Sequence, residues 1–185
     1  LRWKELEEGF VFHLGNRDLE VLDTPGHTKD GICLLDRKYR LLFSGDTVVS
    51  TPVLMFDTFS DTMSTYLESL KKLAQLRNSY ELIFPGHYLR PIGSIYIDDQ
   101  IACIQEILEK HLLGEKEECG MTKSEVYFYQ KALASVLYTE DRICWINLRY
   151  RRMIYALYRG IPVCKRGTKK RWKKKKDDYI SFMEN

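Results

Sequence analysis

The chain has 185 residues, 44% hydrophobic and 30% charged, with a net charge of +3, which is enough apolar material for one compact domain plus an extension and excludes a wholly disordered polyelectrolyte. No apolar run approaches the roughly 20 residues a membrane span needs, and Leu1-Arg2-Trp3-Lys4-Glu5 lacks the apolar core of a signal peptide, so a soluble, cytoplasmic protein is expected. The five cysteines, Cys33, Cys103, Cys119, Cys144 and Cys164, show no C-x-x-C spacing, which argues against a disulfide framework or a thiolate zinc site and for reduced, packed thiols.

In chain order, Phe10-Val11-Phe12 reads as a short strand that turns at Gly15-Asn16 into an apolar run, Leu19 to Leu22, followed by Pro25-Gly26-His27. A run from Ile32 to Leu35 and a five-residue loop, Asp36 to Arg40, lead as a hairpin into Leu41 to Phe43, followed by Ser44-Gly45-Asp46. Thr47 to Phe59 reads as an irregular stretch whose Val53-Leu54-Met55-Phe56 suits a substrate wall or core packing equally. From a Ser60-Asp61 cap, Met63, Tyr66, Leu67, Leu70, Leu73 and Ala74 recur at helical spacing. This crossover helix leads to Leu82 to Phe84 and then Pro85-Gly86-His87. A second helix is expected from Asp98-Asp99, with Ile101, Ile104, Ile107, Leu108 and Leu112 inward, ending at Gly114 and holding His111 inside it.

Beyond Gly114 the composition changes. Thr122 to Gly160 holds six of the twelve tyrosines, with Trp145 and Arg142, Arg149, Arg151, Arg152 and Arg159, while Ile143, Ile146, Tyr150, Met153, Ile154 and Leu157 keep helical spacing. The final segment, 165–185, carries nine Lys or Arg against three acids, including the run Lys169 to Lys176 around Trp172, so the body is mildly acidic and the tail basic. The expected division is therefore a domain over 1–114, a helical aromatic and basic extension over 115–164, and a basic tail over 165–185. A helical pair packed on the domain and a solvated tail are the plainer readings of these parts; a surface for nucleic acid, membrane or an acidic partner is the functional one.

Three ligand-type side chains, His27, Asp46 and His87, each follow a strand end beside a glycine, the layout of a metal site built on loops. The strand directions read from the loops set the Leu19 and Leu41 runs opposite and the Leu41 and Leu82 runs parallel, and all three side chains are expected at one sheet edge. His13 and His111 have no ligand-like neighbour and are assigned to surface or packing roles. Neutral imidazole and carboxylate suit zinc, which lowers the pKa of bound water to about 7.

These residues carry a family resemblance. Thr24-Pro25-Gly26-His27-Thr28, Gly31-Ile32-Cys33-Leu34-Leu35, Leu41-Leu42-Phe43-Ser44-Gly45-Asp46-Thr47 and Phe84-Pro85-Gly86-His87 resemble, in order and spacing, the later motifs of the metallo-β-lactamase superfamily of hydrolases. The resemblance covers about residues 9 to 113. It implies an α/β fold forming part of an αββα sandwich, with His27 on one zinc ion, Asp46 bridging two and serving as the catalytic carboxylate, and His87 on the second. It also implies cleavage of an ester, thioester or lactam bond in a small-molecule substrate through a metal-bound hydroxide. The family's earlier H-x-H-x-D-H motif is absent here, so the site is expected to be incomplete in this chain, which resembles the C-terminal half of the fold. The alternative is a noncatalytic binding module that works through its basic aromatic extension. Tyr88, beside His87, is a candidate substrate contact, with plain packing the readier reading.

Overall fold

The computed structural model describes residues 6–143 apart from 57, 88 and 89. Tyr88, the arginine-bearing helical pattern beyond 143 and the lysine run of the tail lie outside the described residues.

The element order is β1 (Val11–His13), β2 (Asp18–Asp23), β3 (Ile32–Asp36), β4 (Leu41–Gly45), β5 (Val53–Met55), α1 (Met63–Gln75), β6 (Leu82–Pro85), α2 (Ile95–Lys110), β7 (Glu115–Glu117), β8 (Val126–Lys131) and β9 (Ala134–Thr139). This is a mixed α/β fold with two sheets. The first runs in the order β1-β2-β3-β4-β6. Its first three pairings are antiparallel and β4–β6 is parallel, with α1 as the crossover. Strands β2 and β4 are each antiparallel to the β3 between them. They therefore share a direction, which corrects the opposite sense expected for the Leu19 and Leu41 runs: two reversals restore the original heading. With β6 parallel to β4, the carboxyl ends of β2, β4 and β6 all face one edge.

Helix α1 starts where Thr62, in extended conformation, caps it by accepting the Thr65 amide at 3.2 Å, just beyond the expected Ser60-Asp61 cap. Met63, Tyr66, Leu70 and Leu73 line its inner face and are fully buried, each side chain worth about 1.5–3 kcal/mol of transfer free energy. They share one core cluster with Leu35, Leu42 and Ile83 of the first sheet and with Ile97, Ile104 and Ile107 of α2. Helix α2 begins after Ser94, earlier than the Asp98-Asp99 cap expected, and places Asp98 in its first turn, where a carboxylate suits the helix dipole. His111 is not inside the helix. It is the C-cap residue, in left-handed conformation at φ 47°.

The expected irregular stretch 47–59 contains β5, and Val53, Met55 and Phe56 are buried, so its apolar residues serve the core. The segment 115–164 was expected to be a helical extension entered through a charged turn, Gly114 to Gly120, and over its described part the structure differs. Residues 115–139 supply β7, β8 and β9, which with β5 make a second sheet in the order β5-β9-β8-β7. Strand β5 is parallel to β9, with Leu54 opposite Leu137. The aromatic and β-branched residues Tyr127, Phe128, Tyr129, Val136 and Tyr138 fit a pleated, half-buried surface, and Ala134, Val136 and Tyr138 join the common core.

Candidate metal centre

The turn after β4 is shaped by two departures from regular strand. The pairing of β4 with β6 shifts register between Phe43 and Gly45, and Gly45 takes φ +51°, a backbone region open to glycine. The Gly45 carbonyl then accepts the Gly86 amide at 2.9 Å, joining the Asp46 turn to the His87 turn. A bulge of this kind re-aims the residue that follows it. Asp46 is thereby turned toward both histidines.

His87 Nε2 lies 2.9 Å from Asp46 Oδ2, within hydrogen-bonding distance. His27 Nε2 lies 3.5 Å from the same oxygen, beyond an ordinary hydrogen bond. The three side chains differ in access: those of His27, Asp46 and His87 are 18%, 27% and 71% exposed. The strand-end pattern thus brings its three residues together at one edge. Among the described residues no group of three or more His, Cys, Asp or Glu side chains surrounds a common point as a metal shell would. What is present is two donor pairs that share one carboxylate oxygen.

The ring orientation of His27 bears on whether a cation fits. Its Nδ1 is 2.8 Å from the Leu54 carbonyl oxygen, which can only accept, so Nδ1 carries the hydrogen. In a neutral ring Nε2 then presents a lone pair to the Asp46 carboxylate, and two lone-pair atoms face each other at 3.5 Å. A shared cation resolves that opposition. An ion bound at the usual 2.0–2.2 Å for zinc holds tetrahedral donors roughly 3.3–3.6 Å apart, which is the spacing of this pair. The donor set fits a divalent zinc-like ion.

Beneath the site lies a small buried network. Thr24 Oγ1 is 3.2 Å from Thr47 Oγ1 and 3.3 Å from Cys33 Sγ, and the Tyr66 hydroxyl donates to the Thr47 carbonyl at 2.6 Å. Burial pushes the Cys33 thiol up to about 11, so it is a neutral packing group and no thiolate ligand. Phe59 meets the His27 ring edge to face, centroids 5.6 Å apart. Periodicity placed Tyr66 on the core face, but nothing in the pattern announced what its hydroxyl holds. Ser60, in place of capping the helix, donates its Oγ hydrogen to the His27 carbonyl at 2.7 Å.

Residues 2–87 match the family described as the metallo-beta-lactamase superfamily. Over 85 residues the chain is 40% identical to an acyl-coenzyme A thioesterase, MBLAC2, of Gallus gallus, covering 45% of this chain and 30% of that protein. Over 140 residues it is 30% identical to a beta-lactamase-like protein 2 homolog of Caenorhabditis elegans, covering 76% of this chain and 43% of that protein. The chain spans less than half the length of these relatives. A solved beta-lactamase domain protein from Burkholderia ambifaria superposes with a TM-score of 0.50 at 24% identity, over 60% of this chain and 36% of that one, which speaks for the fold. Motifs, sheet and this match agree that residues 2–87 are those of a metallo-beta-lactamase superfamily domain.

Proposed function

We propose that this chain carries part of the site of a metal-dependent hydrolase, with His27 and Asp46 holding one zinc ion and Asp46 and His87 a second. The observation that carries the reading is the His27 ring: its Nδ1–H is committed to the Leu54 carbonyl, which aims the Nε2 lone pair at Asp46 Oδ2. Such a backing hydrogen bond is what fixes and strengthens an imidazole ligand. When bound, zinc supplies Lewis acidity and an acidified water. The chain's own residues do the rest. Asp46 contributes one negative charge shared between the two histidines, and Phe59 shields one side of His27 from solvent. Catalytic zinc normally has three protein ligands, so each pair here needs a further donor beyond this trio. Likeness to an acyl-coenzyme A thioesterase supports a thioester as the bond cleaved.

Zinc titration by calorimetry, with elemental analysis of the purified chain and an acyl-thioester hydrolysis assay, tests this. Asp46→Ala is expected to lower zinc affinity at both positions by on the order of 100-fold and to abolish any thioesterase activity, since one carboxylate serves both ions. Full zinc content in Asp46→Ala would overturn the reading.

A further inference from the structure

We propose that Arg142 is a positioning residue for His27, through which the second sheet sets the aim of the imidazole. Arg142 lies outside the segment 2–87 that matches the superfamily, in a 3-10 turn, Glu140–Arg142, directly after β9. It is 5% exposed. Its Nη1 donates to the Ser60 carbonyl at 2.8 Å, and its Nε and Nη2 are held by Asp141 Oδ2. Burying a guanidinium is unfavourable unless its donors are satisfied, and one of those donors is spent on this loop carbonyl.

Ser60 carries the constraint onward. It is fully buried, its Oγ accepts the Phe56 amide at 2.9 Å, and its hydroxyl hydrogen goes to the His27 carbonyl at 2.7 Å, with the Leu54 carbonyl a longer 3.3 Å from the same oxygen. The next residue, Asp61, donates its amide to the Gly26 carbonyl at 2.9 Å. The His27 backbone is thus clamped to a loop that Arg142 grips. The His27 ring is clamped from the same sheet, because Leu54, whose carbonyl takes Nδ1–H, sits in β5 opposite Leu137 of β9. Backbone and ring of one residue are both referred to β9. These two anchors meet at Ser60, whose Oγ is also 3.3 Å from the Leu54 carbonyl, and together they fix where Nε2 points.

The whole chain, labelled with nitrogen-15 histidine, metal-free and with neutral rings, is the test, read by long-range proton–nitrogen correlation. The wild type should show His27 as the Nδ1–H tautomer. Arg142→Met should shift it until the Nε2–H form exceeds about one third of the population, because the tautomer is set by the hydrogen bond the other nitrogen makes. Arg142→Lys, which keeps one donor for the Ser60 carbonyl, should restore the wild-type signal, and Ser60→Ala should reproduce the shift with Arg142 in place. Lys131→Met, which loosens the same sheet at its Glu106 contact, should leave the tautomer unchanged. A folded Arg142→Met with the wild-type tautomer, or an equal shift in Lys131→Met, would overturn the proposal, as would a wild type lacking the Nδ1–H form. Should Arg142→Met fail to fold, Ser60→Ala and Arg142→Lys decide it in the same readout. The consequence for zinc, a loss of affinity of about 10-fold in Arg142→Met, rests on His27 being a ligand. A wild type that binds no zinc would remove the metal reading and leave the tautomer result standing.

Discussion

Gly26 and Gly86 stand at equivalent places in two Pro-Gly-His turns, yet different neighbours crowd the place a side chain would take at each. A Cβ on Gly26 would lie 2.4 Å from Tyr66 Cδ2, and that ring is fully buried and pinned by its hydroxyl at 2.6 Å to the Thr47 carbonyl. A Cβ on Gly86 would lie 2.6 Å from Asp46 Oδ1, the end of a side chain that can swing away. The two alanine variants should therefore separate. Gly26→Ala is expected to lose about 1–3 kcal/mol of stability through overpacking, visible as a lower Tm. Gly86→Ala is expected to melt close to wild type while binding zinc at least about 10-fold more weakly, since the carboxylate is turned from its productive rotamer. Wild-type zinc affinity in Gly86→Ala would show that Asp46 reaches the histidines in another rotamer. That His27, Asp46 and His87 come together at one sheet edge was legible in the sequence because glycine-marked strand ends are a local signal. The groups that aim them were not. The carbonyls of Leu54 and Thr47 belong to no residue-type pattern, and Arg142 is 82 residues from the serine it holds.

Between elements, the last turn of α2 is tied to β8 by one carboxylate. Glu106 accepts from Lys110 one turn along the helix and from Lys131 at the end of β8. Those two lysine hydrogen bonds, that of Lys110 first, draw the Glu106 carboxyl from 4.5 down to about 2. Because the folded value lies below the unfolded one, the stabilisation is complete above about 4.5 and is lost as the pH falls through about 2. The urea midpoint of the wild type should therefore fall relative to Glu106→Gln across that window, and the two should run parallel at neutral pH. Parallel curves throughout would mean that solvent screening cancels the tie. The strands that this tie holds were the least legible part of the fold. A hairpin usually declares itself by Asn-Gly, Asp-Gly or another glycine turn. Here Ala132 takes φ 52° between β8 and β9 without being glycine, and the helical spacing that begins at Ile143 suggested a helical extension instead. Strands β2, β3, β4 and β6 had apolar runs bounded by glycine and proline, and α1 had an unbroken 3.6-residue period, so those elements could be read directly.

Both faces of the first sheet are apolar, as the inner layer of a sandwich requires. The cross-strand row Leu35, Leu42 and Ile83 faces the helices and is buried. The alternate row, Val21, Leu34, Phe43 and Phe84, is apolar as well, with the two rings stacked at 5.5 Å. Sheets covered on both sides carry such near-continuous apolar strands, in keeping with the sandwich of the superfamily. The second sheet closes the helical side. Strand β5 has β9 as its pairing partner, and the Tyr138 hydroxyl accepts the Gly114 amide at 3.0 Å and donates to the Leu112 carbonyl at 2.9 Å, strapping the end of α2 to β9. A boundary at Gly114, where the composition changes, would cut through this core. A chain ending at 114 is therefore expected to lose its cooperative thermal transition, because Val53 and Met55, both buried, would lose their strand and Val136 and Tyr138 would leave the cluster. A chain ending at 145, the limit of the first compact unit, keeps that shared core and should retain a cooperative transition. Circular dichroism melts of the two decide it: a cooperative transition for 1–114 near the full-length Tm would make the first sheet and its two helices self-sufficient and would place residues 115–143 outside the core they now share.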